Sequence, residues 1–303
     1  MSDNQKRYKT EWSFSFDKLG DEIRDFFQDV GTNAEDEIKS AVFDADLAGA
    51  AAARVRLDLS VGEASIHALA ESDKAIIADL VYVGDIRFSA ETDPEGVRVI
   101  NLSQSAGAKA WFRGAIGWFG SKRSLRWNIG LTRQVPMELD IRGGVGESTL
   151  DLRGLQLKNL HIAVGAGEMT VMLPAGTYEA NIDGGVGEVE VHVETGAHVD
   201  LSVGGGVGEL NLNVADGATV ASKIRGGVGE VNVRLPETTP ASLTVKAGLG
   251  GVSFTPRFVQ VSGSNSGFDR SGTWQTPGFE GAVAETRPNI IHYDGGVGAF
   301  NVR

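Results

Sequence analysis

Five glutamates recur at a nearly constant interval along the chain, and carboxylates in such a row could bind a cation or a basic partner. If the repeats stack as strands, these side chains lie about 4.8 Å apart, a spacing at which like charges destabilise a sheet. The favoured hypothesis is a solvated row that salt screens. The alternative is a divalent-cation site, although calcium requires roughly six to eight oxygens. The five residues are Glu147, Glu168, Glu188, Glu209 and Glu230.

One segment of this acidic chain is both basic and aromatic, and it reads AWFRGAIGWFGSKRSLRW from Ala110 onward. Aromatic side chains favour the depth of lipid headgroups and basic ones meet anionic lipid, so membrane contact is one hypothesis. The favoured alternative is a bulged coil whose aromatic side chains pack on the flank of the fold. The candidate residues are Trp111, Phe112, Arg113, Trp118, Phe119, Lys122, Arg123, Arg126 and Trp127.

The glutamates belong to a repeat. The phrase Gly-Gly-Val-Gly-Glu, with small variations, returns so that its last common glycine falls at positions 146, 167, 187, 208, 229 and 250. Successive differences are 21, 20, 21, 21 and 21 residues. A fixed period of this size indicates stacked supersecondary units.

Apolar residues alternate on both sides of each glycine, as Val203 and Val207 do before Gly208 and as Leu210 and Leu212 do after it. Alternation predicts strands with one buried face. The change of parity at the glycine predicts a bend, after which apolar side chains again point inward, and glycine favours such a bend because positive φ costs it little. Stacked coils bury the inner faces. The sequence therefore predicts an all-β fold, a β-solenoid of coils of about 21 residues.

The run VPMELDIRGGVGESTLDLRGLQLKNLHIAVGAGEMTVMLPAG, which begins at Val135, resembles the toastrack domain of bacterial cell-envelope stress-response proteins, the cell-wall-active antibiotic response family. The end of the chain, GTWQTPGFEGAVAETRPNIIHYDGGVGAFNV, is similar to the closing part of such domains. The resemblance covers roughly residues 54–303. It implies a single-stranded β-helix without catalytic activity, in an envelope-stress setting.

The first 49 residues are predicted to form an appendage. Alternation of Trp12, Phe14 and Phe16 predicts a short strand, and three-four spacing from Lys18 to about Leu47 predicts an acidic amphipathic helix. This helix either caps the open end of the solenoid or binds a partner or a second copy. Its apolar face comprises Leu19, Ile23, Phe26, Phe27 and Val30.

Residues 50–303 are predicted to be the solenoid. Early coils turn at Gly62 and Gly84, and the 84 residues from Gly62 to Gly146 equal four periods of 21. We therefore expect the intervening coils to keep the period of 21 residues, which makes four coils, with an irregular insertion at about residues 105–130. After Gly250 the next Gly-Gly-Val-Gly ends at Gly298, 48 residues later, which predicts an excursion at about residues 253–290.

Composition narrows the functional classes. The net charge of −12 argues against nonspecific nucleic-acid binding, and the chain has no cysteine to form a disulfide or bind a metal. No stretch approaches 18 apolar residues and no signal peptide is evident. We expect a cytoplasmic location, with the inner face of the membrane as the alternative.

No catalytic motif is found, and the histidines are scattered along the chain. We predict a non-enzymatic scaffold or protein-interaction module, adhesin-like in its repeats, without a cofactor or small-molecule substrate. A protein partner or self-association is the expected interaction. The alternatives are a peripheral membrane protein that uses residues 111–127 and a solenoid that binds divalent cations or glycans.

Overall fold

The computed structural model describes residues 38–105, 125–163, 165–246, 248–266, 269–282 and 287–303. These residues form two long sheets and one helical turn, α1 (Phe279–Ala282). The strands are, in chain order, β1 (Lys39–Asp46), β2 (Ala52–Asp58), β3 (Glu63–Ala68), β4 (Lys74–Tyr82), β5 (Asp85–Thr92), β6 (Val97–Ser105), β7 (Arg126–Leu131), β8 (Pro136–Arg142), β9 (Val145–Asp151), β10 (Gln156–Ala163), β11 (Ala166–Leu173), β12 (Gly176–Asp183), β13 (Val186–Val193), β14 (Ala197–Gly204), β15 (Val207–Val214), β16 (Thr219–Arg225), β17 (Val228–Arg234), β18 (Ala241–Lys246), β19 (Val252–Phe254), β20 (Val259–Ser266), β21 (Asp269–Gln275), β22 (Asn289–Asp294) and β23 (Val297–Val302).

The two sheets share one continuous apolar core. Sheet A has the order β1-β4-β7-β3-β9-β11-β13-β15-β17-β23-β19, and sheet B has the order β20-β21-β18-β22-β16-β14-β12-β10-β8-β2-β6-β5. From β8 onward each coil supplies one strand to sheet B, makes a glycine turn, supplies the next strand to sheet A and returns through a polar turn. The predicted all-β solenoid is confirmed.

The glycine turns stack with almost no space between successive backbones. Gly208 has φ +139°, and a Cβ atom at this position would lie 1.8 Å from the carbonyl oxygen of Gly187 in the preceding coil. No side chain fits at that distance, so the repeat requires glycine here for both conformation and close approach.

The predicted N-terminal helix is wrong for its last part, because Lys39–Asp46 form strand β1. This strand pairs antiparallel with β4, from Lys39 opposite Tyr82 to Asp46 opposite Lys74. Ala41, Phe43 and Ala45 alternate toward the core while Val42 is exposed. The period of two therefore prevails over the three-four spacing once a sheet edge is available to pair with. The predicted aromatic strand and the helix face from Leu19 to Val30 lie outside the described residues.

The expected count of four coils between Gly62 and Gly146 is also wrong, because the two turns are neighbours. Strand β2 pairs with β8 and β3 pairs with β9. The strands between β3 and β8 are added on the sides of β2 and β3 that face away from β8 and β9. Strands β6 and β7 pair with the far sides of β2 and β3, and β4 and β5 lie beyond them as antiparallel strands. The coil that turns at Gly84 thus runs in the opposite direction to the others.

At the C-terminal end the last coil in sequence is not the last in space. Strands β22 and β23 lie between β16–β17 on one side and β18–β19 on the other. The period slips after Gly250 because two further strands and the turn α1 lie between β19 and β22 in the sequence. The predicted excursion contains the antiparallel hairpin of β20 and β21, whose Trp274 is buried and packs on Phe254 with ring centroids 5.0 Å apart. Within the described residues, no helix is long and apolar enough to cross a membrane.

Candidate functional site: the edge formed by the glycine turns

The residue before the last glycine of each repeat forms an apolar row along the edge where the chain passes from sheet B to sheet A. We call this row the valine ladder, and its members in spatial order are Val145, Ala166, Val186, Val207, Val228, Val297 and Leu249. Five of them are strongly exposed: Val186 by 55%, Val207 by 46%, Val228 by 53%, Val297 by 51% and Leu249 by 77%.

The prediction that Val207 points inward is therefore wrong. The alternation of the preceding strand, with Leu201 and Val203 buried, ends at Gly205-Gly206. Val207 lies on the outside of the turn, and the positive φ of Gly208 restores the inward direction only for the residues that follow. Apolar periodicity cannot show this, because an exposed valine next to a bend has the same spacing as a buried one.

The glutamate ladder runs beside the valine ladder, two residues further along each strand. The register pairs Glu147 with Glu168, Glu168 with Glu188, Glu188 with Glu209 and Glu209 with Glu230. All five side chains are exposed. The structure thus brings the five predicted carboxylates into one row, at the spacing of adjacent strands, about 4.8 Å.

An asparagine ladder, which the sequence analysis missed, holds three of these carboxylates. Asn211 Nδ2 donates to Glu188 Oε1 at 3.1 Å, Asn232 Nδ2 to Glu209 Oε1 at 3.0 Å, and Asn301 Nδ2 to Glu230 Oε1 at 2.7 Å. The asparagines also bond to one another: Asn232 Nδ2 donates to Asn211 Oδ1 at 3.1 Å and Asn301 Nδ2 to Asn232 Oδ1 at 2.9 Å.

These bonds offset part of the repulsion within the glutamate ladder, because a hydrogen bond to a charged acceptor is stronger than one between neutral groups. They also fix the direction of the carboxylates. The signal in the sequence was an asparagine three residues after the last glycine of three repeats, at Gly208, Gly229 and Gly298.

A small cavity of about 50 Å³ lies beneath the middle of the valine ladder, lined by glycine turns together with Arg225, Glu230 and Tyr293. The Tyr293 ring stacks on Phe300 with centroids 4.0 Å apart, and burial raises the pKa of its hydroxyl. The cavity has room for a few water molecules and not for a substrate. Binding at this edge must therefore occur on its surface.

The predicted basic and aromatic segment is largely outside the described residues, since Trp111, Phe112, Arg113, Trp118, Phe119, Lys122 and Arg123 all fall in the range 106–124. Its last two members are described and lie in strand β7. Trp127 is 1% exposed and belongs to the core, and Arg126 Nη2 lies 3.6 Å from Asp79 Oδ2. Trp127 therefore stabilises the core and is not free to meet a membrane, whereas the Arg126 side chain remains 53% exposed beside Asp79.

A wider groove of about 610 Å³ follows the polar turns at the opposite end of the sheet A strands, lined by Arg153, Glu190, His192 and Arg234 among others. His192 Nε2 lies 3.1 Å from Glu190 Oε1. Arg153 binds Asp151 through two nitrogens at 2.7 and 2.6 Å and thereby lowers the pKa of that carboxyl. Among the described residues, no three His, Cys, Asp or Glu side chains are arranged to hold a metal ion.

The fold and this edge define a class, the parallel two-sheet β-solenoid with aligned glycine turns. The chain belongs to the family described as the N-terminal domain of toast_rack, DUF2154, whose model matches residues 31–192. This confirms the toastrack resemblance read from the sequence. No curated protein matches the chain in sequence.

Two solved structures resemble the fold. A candidate cell adhesion protein from Clostridium sporogenes ATCC 15579 is 20% identical, with a TM-score of 0.41 over 88% of this chain and 99% of that one. A candidate adhesin from Bacteroides fragilis NCTC 9343 is 14% identical, with a TM-score of 0.36 over 89% of this chain and 100% of that one.

Proposed function

We propose that this protein is a non-enzymatic scaffold that binds a partner protein through the edge of the glycine turns and acts in the response of a bacterium to envelope stress. The exposed valine ladder carries the proposal, because a contiguous row of exposed apolar side chains marks an interaction surface. Membership in the toast_rack family, together with the resemblance to stress-response proteins, supports the setting.

The ladder is well suited to binding because it is rigid before a partner arrives. The backbone of each repeat is hydrogen-bonded to the coils on both sides, as Val207 N to Gly185 O at 2.9 Å and Val228 N to Gly206 O at 2.9 Å show. A preformed surface loses little conformational entropy on association, so more of the contact energy appears as affinity.

The test uses a matched pair of triple variants in a host strain that lacks the gene. The ladder variant carries Val186→Ser, Val207→Ser and Val228→Ser. The control carries Val42→Ser, Val259→Ser and Val261→Ser, which are exposed valines outside the ladder. Under a wall-active antibiotic we expect the control to restore growth and the ladder variant to fail, with loss of its in-cell cross-linked partners. Full complementation by the ladder variant at equal protein level would contradict the proposal.

We further propose that the protein acts in the cytoplasm, at the inner face of the membrane. Fractionation of host cells tests this location. Recovery of the protein in the cytosol, and on membranes from which salt releases it, would support this location. Recovery in the medium or the periplasm would contradict it.

A further inference from the structure

We propose that the valine and glutamate ladders together bind a basic amphipathic helix of the partner protein. This inference rests on the proposed scaffold function and names the chemistry of the partner.

The charge of the edge selects a cationic partner. Glu188, Glu209 and Glu230 are exposed beside the valines and are held in place by asparagines. The described cations at the start of these turns are Arg142, which lies 3.6 Å from Asp58, together with Arg225 and Lys246, which occupy the strand positions on either side of Asp294. These cations are fewer than the five carboxylates and have carboxylates of their own beside them, so an apolar surface that approaches the edge binds most favourably if Lys or Arg side chains flank it.

Charge opposes a second copy of this chain at the edge, most strongly when the two copies run antiparallel. In the antiparallel arrangement of a two-fold dimer, burying valine ladder on valine ladder would place the two glutamate ladders face to face. Like charges brought together at an interface oppose association, and the net charge of −12 adds a general repulsion.

The spacing of the coils favours a helix over a strand as the occupant. Successive ladder residues are about 4.8 Å apart, and one turn of an α-helix advances about 5.4 Å. A strand laid along the edge would repeat its side chains only every ~6.7 Å. The six steps from Val145 to Leu249 span about 29 Å, which corresponds to a helix of about 19 residues. Such a helix has about five turns, whose apolar side chains would lie along the ladder.

The probe is a synthetic, fluorescently labelled helix of about 20 residues with leucines along one stripe and lysines on both flanks. Its binding to the full chain is measured by fluorescence anisotropy at about 50 mM salt. One control peptide replaces the lysines by glutamates and another replaces the leucines by glutamines. We expect the lysine peptide to bind at least roughly tenfold more tightly than either control.

Protein variants locate the site. The ladder variant Val186→Ser, Val207→Ser, Val228→Ser is expected to lose binding. Glu188→Gln, Glu209→Gln, Glu230→Gln should weaken it roughly tenfold and reduce its dependence on salt. The matched control Glu179→Gln, Glu194→Gln, Glu237→Gln removes the same charge elsewhere and should bind as the wild type does. Circular dichroism confirms that each variant is folded.

Three outcomes would overturn the inference. The first is equal binding, or no binding, of the lysine and glutamate peptides, and the second is wild-type affinity in the valine variant. The third is a dimer, measured by light scattering, that the valine variant dissociates, because a second copy would then occupy the edge. If the valine variant still loses its cross-linked partner in cells, the scaffold function survives any of these results. Full complementation by that variant would instead contradict the proposed scaffold function itself.

Discussion

A single methyl group is enough to disturb the stacking of the glycine turns. At Gly208 an added Cβ would lie 1.8 Å from Gly187 O and would also have to accept φ +139°. At Gly251, in contrast, an added Cβ has no heavy atom within 4 Å and the backbone is not in the positive-φ region. The two glycines therefore differ in what they do for the fold.

We expect Gly208→Ala to lower the free energy of unfolding by about 2–4 kcal/mol, since strain and backbone overlap add. The matched control, Gly251→Ala, should change it by less than about 0.5 kcal/mol. Urea denaturation followed by circular dichroism measures both. Equal midpoints for the two variants would show that the turns can separate at little cost.

Tyr178 is buried in β12, and its hydroxyl donates a hydrogen bond to the Pro174 carbonyl at 2.9 Å. Burial raises the pKa of this phenol in the folded state, whereas in the unfolded chain it ionises near pH 10, at about its ordinary value. Its contribution to stability is thus complete below about pH 10 and is lost as the pH rises further.

Replacing Tyr178 by Phe should cost about 1 kcal/mol at pH 7 through the lost hydrogen bond and should make stability fall less steeply above about pH 10. Urea titrations at several pH values between neutral and about pH 11.5 measure this difference. Tyr293 has a raised pKa for the same reason, so some alkaline slope should remain in the variant. Identical slopes for wild type and variant would contradict the assignment to Tyr178.

Among the elements, strand β1 protects the apolar strand β4. It pairs along the length of β4, and Lys74 Nζ binds both Asp44 at 2.5 Å and Asp46 at 2.6 Å. Without β1, the backbone of β4 would become an open sheet edge whose residues include Ile76, Ile77 and Leu80. Open apolar edges pair with other chains.

Two truncated chains test this role of β1. We expect a chain that begins at Ile38 to fold as a stable monomer and one that begins at Ala50 to aggregate, because only the second exposes β4. Gel filtration with light scattering gives the mass of each. A monomeric chain from Ala50 would show that β4 needs no cover.

At the scale of the whole molecule, the order of the coils in space differs from their order in sequence. Strands β18 and β19 do not stack on β16 and β17, the coil that precedes them in the chain. They pair with β22 and β23 instead, and β22 and β23 in turn pair with β16 and β17. The C-terminal residues therefore join two parts of the solenoid that would otherwise be separate.

A chain that ends at Ala282, and so lacks β22 and β23, tests this connection. We expect residues 241–282 to lose protection against hydrogen exchange while the coils before β16 keep it, since each coil is stabilised by its direct neighbours. Mass spectrometry of proteolytic fragments measures the protection. Full protection of residues 241–282 would mean that β18 and β19 can dock directly on β16 and β17.

Much of the solenoid was predictable because its signals are local. The alternation around Gly208 and the return of the same phrase every 21 residues specify strands, bends and stacking without knowledge of distant contacts. The same period correctly placed the five glutamates in one row. Their hydrogen-bonding asparagines, such as Asn232, were visible in the sequence as a second recurrent position but were not recognised. The helix face near Phe26 and the segment around Trp118 remain predictions.

The sequence by itself therefore determined the coil, its period and the need for glycine at each turn, since all three follow from alternation and sterics within about 21 residues. Only the tertiary structure decided which coils are neighbours, because parallel coils with the same pattern can pair in any order. It also decided that Lys39–Asp46 form a strand and that Val207 faces solvent. These outcomes depend on which sheet edge is available and on the direction in which a turn leads the chain, and neither property is encoded in spacing alone.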